Sequence, residues 1–318
     1  MRKLEPREEI FDLYWHFAHE RNEIFYRKKN GDPQPWTDDP ILQKYKFCNS
    51  FRVNDRGSQY LVGHVIYNGK IYKPADMVFR IILYRIFNLP STWDALEKEF
   101  GDITLDSLDV PKWTEFLHRL SRRQPIESNA YIMKPIPGKY PTKHGNWLAY
   151  LESLFTKSGF VEKLLSKNNM RDGFKVMSGA PNIGTFLAYQ YCTDIAYSEV
   201  VKWQESDFTI PGGGAKRGIN KVFKNPDPNH LEEAIWYMYD HQEEELAKRG
   251  YDFHKLGGIR RLQPIDLQNC FCETDKYCRV AHPELKSACK EIKNKYSKSN
   301  KRPPIDYFYP PKWNLKEK

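Results

Sequence analysis

The feature that most constrains the fold is the spacing of apolar side chains, which recur every three or four residues in one segment after another. Residues 8–28 place these side chains on one helical stripe, which comprises Ile10, Phe11, Tyr14, Phe17, Ala18, Ile24 and Phe25. Similar patterns predict helices at residues 74–87, 92–100, 110–123, 147–167, 231–248 and 265–280. The chain is therefore predicted to be mainly α and to form one compact helical body.

Short signals refine this prediction. Ser91 is predicted to cap the helix at residues 92–100, and Gly101 to end it. The best strand candidate is residues 60–72, with Asn68 and Gly69 as a hairpin turn, so the fold contains at most a short β-hairpin.

A chain of 318 residues is long enough for one large domain or for roughly two of about 150 residues each. We predict a helical domain over residues 1–285, of one or two lobes, with the seam of a two-lobed domain in the proline- and glycine-rich residues 133–145. Residues 286–318 are predicted to be a basic, extended tail, since residues 286–302 carry seven Lys or Arg against one Glu.

Charge and composition bound the function. The formal net charge is +9 and aromatic residues make up 14% of the chain, which suits a polyanion with exposed bases, although the aromatic residues could instead fill a helical core. No apolar run approaches the roughly 18 residues of a membrane span, and the N-terminus lacks a signal-peptide core. With six cysteines, a reduced protein inside the cell is expected, without membrane association.

A first candidate site is the turn Pro181-Asn182-Ile183-Gly184, which opens an apolar helix. Backbone N–H groups at such a helix start can hold a phosphate, and Asn182 tolerates the left-handed conformation that a tight turn often requires. The other interpretation is an ordinary helix–turn–helix corner. Asp194 and Asp207 follow as acidic candidates.

A second candidate site is the glycine run Gly212, Gly213 and Gly214, followed by Lys216 and Arg217. Consecutive glycines allow close backbone approach to an anion, and the two cations add positive charge. A flexible loop between helices is the alternative. The sequence has no G-x-x-x-x-G-K-[ST] motif, which argues against phosphorylation with ATP by these residues alone.

A third candidate site concentrates polar and ionic side chains in residues 47–60, where Arg52, Asp55, Arg56 and Gln59 could line a pocket or form internal salt bridges. A related cluster in residues 269–279 places Glu273, Lys276 and Tyr277 on or near one helix face. Cys270, Cys272, Cys278 and Cys289 match no common zinc spacing, so we predict no metal and interpret them as buried thiols.

Four segments in this order carry a resemblance to a known family: residues 20–61, 181–198, 207–219 and 267–280. They resemble the helical domain of thymine-hypermodification proteins, which include 5-hydroxymethyluracil DNA kinases and the α-glutamyl/putrescinyl thymine pyrophosphorylases, that is, bacteriophage amino acid:DNA transferases. The resemblance implies a fold related to helix-hairpin-helix DNA glycosylases. PNIG would be the hairpin, although Asn182 replaces its usual glycine, and Asp207 would lie close to the glycosylase aspartate.

The resemblance implies transfer of an amino acid or polyamine amine onto the methylene carbon of (pyro)phosphorylated 5-hydroxymethyluracil in double-stranded DNA. A separate 5-hydroxymethyluracil DNA kinase would supply the substrate, no cofactor is expected, and the location would be the host cytoplasm if the protein is viral. For such a transfer we expect the following roles: catalysis by Asp207 and Asp194, phosphate binding by Gly212, Gly213, Gly214, Lys216 and Arg217, base or amine binding by Arg52, Asp55, Arg56, Gln59, Lys276 and Tyr277, and DNA backbone binding by Asn182 and Gly184.

Two alternatives stay open. A DNA glycosylase could use Asp207 to stabilise the cationic sugar, but it would have no leaving phosphate for the glycine segment to bind. A non-catalytic partner of a 5-hydroxymethyluracil kinase could recognise modified DNA, and its DNA binding would survive Asp207→Asn.

Overall fold

The computed structural model describes residues 4–130, 133–285, 287, 291–292, 294–296 and 305–316. These residues form α-helices and short 3-10 and π segments, without any β-strand. The helices are α1 (Glu8–Asn30), α2 (Pro40–Lys44), α3 (Arg56–Tyr60), α4 (Pro74–Phe87), α5 (Pro90–Phe100), α6 (Val110–Ser121), α7 (Lys143–Lys157), α8 (Phe160–Leu165), α9 (Met170–Ser178), α10 (Thr185–Ala196), α11 (Gly213–Val222), α12 (Glu232–Lys248) and α13 (Pro264–Ala281). The prediction of a mainly α fold is confirmed.

The chain divides into two compact units, which we call unit 1 and unit 2. Unit 1 comprises Met1–Asp55, Phe208–Tyr307 and Trp313–Lys318, and unit 2 comprises Arg56–Asp207 and Phe308–Lys312. Residues 133–145, where the sequence predicts a seam, lie inside unit 2.

Unit 1 is built around α1, α11, α12 and α13. The apolar stripe of α1 is buried, and Tyr14 packs its ring 4.6 Å from that of Phe271 on α13 while its hydroxyl donates to the carbonyl of Leu267. Phe11 contacts Phe223 edge to face at 5.9 Å. Because such aromatic contacts bury large apolar areas, they hold α1 against α11 and α13.

Unit 2 is organised by α4, which is buried from Asp76 to Phe87 as the sequence predicts for an apolar helix. Its two arginines, Arg80 and Arg85, are compatible with burial because most of their donors have partners. Arg80 donates to the carbonyls of Val65 and Ile103, and its guanidinium lies 4.0 Å from the ring centroid of Tyr72. Such pairing offsets the cost of removing a cation from water.

The strand prediction for residues 60–72 is wrong. Leu61–Ile66 forms a π-helical segment that continues α3, and Leu61, Val62, Val65 and Ile66 are buried. β-Branched residues favour strands locally, but burial of this segment within a helical unit overrides that weak preference. Asn68 and Gly69 do form a turn, in which Gly69 has φ +83° and the Asn68 side chain accepts from the backbone N–H of Lys70.

Two helix boundaries also differ from the prediction. The cap of α5 is Leu89 rather than Ser91, because Pro90 occupies the first helical turn, where its missing N–H costs nothing. The helix predicted at residues 147–167 is two helices, α7 and α8, which are separated at Gly159 with φ +63°. A left-handed glycine ends a helix, so this division has a local cause.

The described part of the predicted tail contacts residues that lie between helices. In unit 1 the guanidinium of Arg260 stacks 4.0 Å from the ring centroid of Trp313. In unit 2 the Lys312 ammonium donates to the carbonyl of Ser198 at 2.6 Å. Arg260 and Ser198 thus contact these residues, and the prediction of a separate C-terminal tail stays a prediction.

Candidate functional site

In unit 1 the segment before Asp55 folds into a polar loop around the carboxyl group of that residue. The backbone N–H and the side-chain amide of Asn49 donate to the same Asp55 oxygen at 2.8 and 3.0 Å. Burial raises the pKa of Asp55 to about 6, and the backbone hydrogen bond from Asn49 offsets only part of that effect. A carboxyl group with this pKa can accept and release a proton near neutral pH.

Helix α13 places an ion pair beside this loop. The carboxylate of Glu273 accepts from the backbone N–H of Cys48 at 3.1 Å and from the Lys276 ammonium at 2.5 Å. Burial alone would lower the pKa of Lys276, but Glu273 raises it above the usual value, so the ammonium stays charged. After burial, the main cause, the negative charge of Glu273 adds to the raised pKa of Asp55.

The glycine segment forms the start of α11, as a phosphate-binding segment requires. Gly212 precedes the helix in an extended conformation, and its N–H donates to the side chain of Gln268 at 3.0 Å. A Cβ on Gly214 would overlap the Cys272 sulfur, and one on Gly218 would overlap the carbonyl of Phe271. These two glycines, one helical turn apart, therefore let α11 lie directly against α13.

Cys272 connects the two parts of unit 1. Its sulfur contacts Gly214, and its pKa, which burial raises to about 12, responds to the charges of Glu273, Lys276 and Arg217. Cys48 is exposed, and its thiol has a raised pKa, chiefly because of Glu273. A chain of contacts thus links the start of α11, through Cys272, to the Glu273–Lys276 pair and the Asp55 loop of unit 1.

The two cations after the glycines differ. Lys216 is exposed, whereas Arg217 is partly buried and its Nε lies 3.1 Å from a carboxylate oxygen of Asp275 on α13. The Arg217 guanidinium would lie 3.9 Å from a Cβ on Gly213, so it reaches back towards the helix start.

Two predicted pocket residues of unit 1 have structural partners. Arg52 is buried, and its backbone N–H donates to Asp266 at 2.7 Å. Tyr277 donates its hydroxyl proton to Asp39 at 2.6 Å, and Asp39 also contacts His16 at 3.1 Å. Burial and the bond to Asp39 raise the pKa of Tyr277, so the phenol keeps its proton.

The other two predicted pocket residues, Arg56 and Gln59, lie on α3 in unit 2. Gln59 is buried and accepts from the backbone N–H of Phe308 at 2.8 Å. Arg56 is partly buried. The predicted pocket residues are therefore divided between the two units.

Asp194 belongs to a buried network in unit 2. Its two carboxylate oxygens accept from Nε and Nη2 of Arg85 at 2.7 and 2.9 Å, and Arg85 also donates to Asn88 and Ser58. Asp194 has no solvent-accessible surface. Its predicted catalytic role stays a prediction, and the contacts that the structure gives it are those of a closed ion pair.

Asp207 also lies in unit 2, at the end of a 3-10 turn. Its Oδ2 accepts from the backbone N–H groups of Gln204 at 2.9 Å and Met170 at 3.3 Å, the second of which is the first residue of α9. The carboxylate therefore supports two backbone turns. Its predicted catalytic role stays a prediction.

The PNIG turn joins α9 to α10 in unit 2. Asn182 adopts the left-handed conformation, with φ +65°, which the sequence analysis predicts, and both Asn182 and Gly184 are exposed. Ile183 is buried and anchors the turn. The turn presents backbone groups to solvent, and its DNA contact stays a prediction.

The cysteine interpretation is confirmed for Cys270 and Cys278, which are buried, whereas Cys272 is partly buried and Cys289 lies outside the described residues. No group of three or more His, Cys, Asp or Glu in the described part of the chain is arranged to hold a metal. Across the same residues, none of the helices has the length and apolar character of a membrane span.

Sequence reasoning missed two contributions to the unit 1 site: Cys48 as an exposed thiol beside Glu273, and Cys272 as the contact of Gly214. The available signal was the spacing of Gly214 and Gly218, since glycines four residues apart on a helix mark a face that another backbone approaches closely. No local pattern could have identified α13 as the partner.

Comparison with known proteins gives one family and one curated relative. Residues 8–287 match the family model of the 5-hmdU DNA kinase helical domain. A 5-hmdU DNA kinase of Bacillus phage SP10 is 23% identical over 291 residues, which cover 86% of this chain and 45% of the phage protein. The chain thus spans about half the length of that relative. No solved structure matches it.

Proposed function

Because this chain belongs to the family of the 5-hmdU DNA kinase helical domain, we propose that it takes part in modifying 5-hydroxymethyluracil in DNA. The specific activity that we propose is an amine transfer. An amino acid or polyamine nitrogen replaces the phosphate or pyrophosphate on the 5-methylene carbon of the activated base, and a 5-hydroxymethyluracil DNA kinase supplies that activated base. The reaction would take place inside the host cell on double-stranded DNA.

One observation carries this proposal: unit 1 combines a carboxyl group of pKa about 6 with a glycine-lined helix start. Asp55 supplies the carboxyl group, and Gly212–Gly214 form the start of α11. The Cys272 sulfur contacts Gly214, and burial together with the charge of Glu273 raises the pKa of the same thiol. A helix start stabilises an anion through its free N–H groups and its dipole. A base and an anion site are the two groups that this transfer needs.

The proposed step balances in bonds and charge. The amine nitrogen forms a bond to the methylene carbon, and the bond from that carbon to the phosphate oxygen breaks with its electron pair. The proton of the attacking amine passes to the Asp55 carboxylate, which is mostly ionised at pH 7 because its pKa is about 6. The departing anion meets the N–H groups at the start of α11 and the Arg217 guanidinium.

The remaining predicted residues have supporting roles in this proposal. Lys276 and Glu273 fix the electrostatics beside Asp55, and Lys216 adds a solvent-side cation near the leaving group. Arg52, Arg56, Gln59 and Tyr277 remain candidates for the base or amine pocket, and Asn182 and Gly184 for the DNA backbone contact. Asp207, together with Asp194, is the competing candidate for the proton acceptor. Both residues lie in unit 2, whereas Asp55 lies in unit 1.

The test uses DNA that carries phosphorylated or pyrophosphorylated 5-hydroxymethyluracil, a pool of amino acids and polyamines, and mass analysis of the digested nucleosides. We expect a heavier nucleoside with the wild-type chain and a loss of about 100-fold or more in its rate of formation with Asp55→Asn, the lower end of a general-base contribution. Asp38→Asn is the matched control, since Asp38 is exposed in the same unit.

Two outcomes would contradict the transfer, and a third would contradict the role of Asp55 in it. Free base with alkali-labile sites would indicate a glycosylase. Tight binding of modified DNA with an unchanged nucleoside profile would indicate a non-catalytic reader. Equal rates for wild type and Asp55→Asn would remove Asp55 from the mechanism.

A further inference from the structure

A cavity of about 420 Å³ opens in unit 1 beside the C-terminal half of α11. Its lining residues are Arg7, Arg217, Asn220, Lys221 and Leu285. Three of these five side chains are cations and a fourth is an amide, whereas no described lining residue is acidic. Such a lining is suited to an anion.

The charge around the cavity is only partly balanced from within the protein. Asp275, fully buried on α13, lies 3.1 Å from Arg217, 3.0 Å from Lys221 and 3.2 Å from Arg279. One carboxylate therefore faces three cations.

Two acidic side chains near the end of α13 contact a histidine. Glu9 and Glu284 contact His282, at 3.9 and 3.2 Å. An anion in the cavity would balance the positive charge that Asp275 leaves.

Arg7 brings a fourth cation and an unused donor. Its backbone is held firmly, since its N–H donates to the carbonyl of Val222 at 2.7 Å and its carbonyl accepts from Ile10 and Phe11. The Nε of Arg7 is buried and has no hydrogen-bond partner among the described residues. A buried donor without a partner is costly, so a ligand that accepts from it gains that interaction.

We propose that this cavity binds a phosphate group through hydrogen bonds from Arg7 and Arg217, while the Lys221 ammonium, which already donates to Asp275 and Ser287, contributes its positive charge. Guanidinium groups match the tetrahedral oxygens of phosphate with paired hydrogen bonds, and a lysine adds a point charge. The phosphate belongs either to the DNA backbone or to free phosphate or pyrophosphate. The cavity shares Arg217 with the proposed leaving-group site. Phosphate binding requires no chemistry on the base, so a test without activated DNA can fail separately from the proposed amine transfer.

The test measures two affinities for the full chain and three variants. The first is the affinity for an unmodified DNA duplex as a function of salt, and the second is the affinity for inorganic pyrophosphate by calorimetry. Arg7→Gln and Arg217→Gln each remove one cavity cation. Lys224→Gln is the matched control. Lys224 pairs with Glu5 next to the backbone contact between Arg7 and Val222, but it does not line the cavity.

We expect both cavity variants to weaken one of the two affinities about tenfold, as for the loss of one charge-assisted hydrogen bond, while Lys224→Gln changes neither. If DNA binding weakens, and the slope of the logarithm of the binding constant against the logarithm of the salt concentration becomes shallower by about 0.9, the ligand is a backbone phosphate. If pyrophosphate binding weakens instead, the ligand is the free anion. Variants that fold normally by circular dichroism and match Lys224→Gln in both affinities would overturn the proposal.

Discussion

The buried ionic groups of the two units differ in how fully their charges are balanced within the protein. In unit 2, Arg85 distributes its donors between the two oxygens of Asp194, Asn88 and Ser58, and both ions are shielded from solvent. In unit 1, Asp275 faces three cations beside an open cavity, and Asp55 keeps its pKa near 6. The first arrangement is complete without a ligand, whereas the second leaves positive charge and a titratable acid available.

This difference distinguishes an ion pair that is satisfied within the protein from a cluster of charges that a ligand can complete. A buried pair whose hydrogen bonds are satisfied holds its helices in one arrangement but offers nothing to a substrate. An unbalanced cluster carries a cost that a ligand of opposite charge can relieve. We therefore propose that ligand chemistry belongs to unit 1 and that the Arg85–Asp194 pair supports the structure of unit 2.

The largest effect is expected from breaking the closed pair. Arg85→Met leaves Asp194 ionised and buried without its partner, which should lower the free energy of unfolding by about 3–5 kcal/mol. Chemical denaturation measures this loss. The double variant Arg85→Met/Asp194→Leu should recover much of it, because both charges are then absent. If Arg85→Met were as stable as wild type, the Arg85–Asp194 pair would not support unit 2 and the comparison would fail.

The next effect concerns the close approach of α11 to α13. Gly218→Ala places a methyl group against the carbonyl of Phe271 and should cost up to about 3 kcal/mol, at the upper end of overpacking. Gly213→Ala is the control, since its added Cβ would meet only the Arg217 guanidinium at 3.9 Å. Equal thermal stability of the two variants would show that the helices are not in direct backbone contact.

A smaller, pH-dependent effect is expected from Asp55. Because its pKa is raised in the folded state, its contribution to stability is complete below about pH 4 and is lost as the pH rises through about 6. Asp55→Asn lacks this dependence, so the variant should gain on wild type by on the order of 2 kcal/mol between pH 4 and pH 7. Urea denaturation at the two pH values measures the change. A difference that does not vary with pH would contradict the raised pKa.

The smallest effect is expected from an exposed ion pair in unit 2. Arg119 and Glu115 lie one turn apart on α6, with 55% and 70% of their side-chain surfaces exposed. Arg119→Gln should cost about 0.3–0.5 kcal/mol, because water screens the pair. A cost near that of Arg85→Met would mean that burial does not distinguish the ionic groups in the way proposed.

Local patterns predicted the helices better than the contacts between them. The spacing of apolar residues places α4 at residues 74–87, as observed, because each side chain of a helical stripe depends on neighbours within one or two turns. The partner of Arg85 is 109 residues away, and no periodicity identifies Asp194 over that distance. The same holds for Cys48 and Glu273, which lie 225 residues apart.

The strand prediction for residues 60–72 failed for a related reason. Val62, Val65 and Ile66 have strand preferences as single residues, but their burial in unit 2 decides the conformation. For the candidate site, the glycine segment and Asp55 were identified from residue type alone. Their placement in one unit depends on α13, whose contacts with both are formed only in the folded chain.

The most direct test of the account is the pH dependence of nucleoside modification with activated 5-hydroxymethyluracil DNA, measured for wild type, Asp55→Asn and Asp207→Asn. The account predicts that the wild-type rate rises with pH through an apparent pKa near 6 and that Asp55→Asn is slow and independent of pH in that range. A profile that survives in Asp55→Asn and disappears in a folded Asp207→Asn would contradict it and would assign the proton acceptor to unit 2.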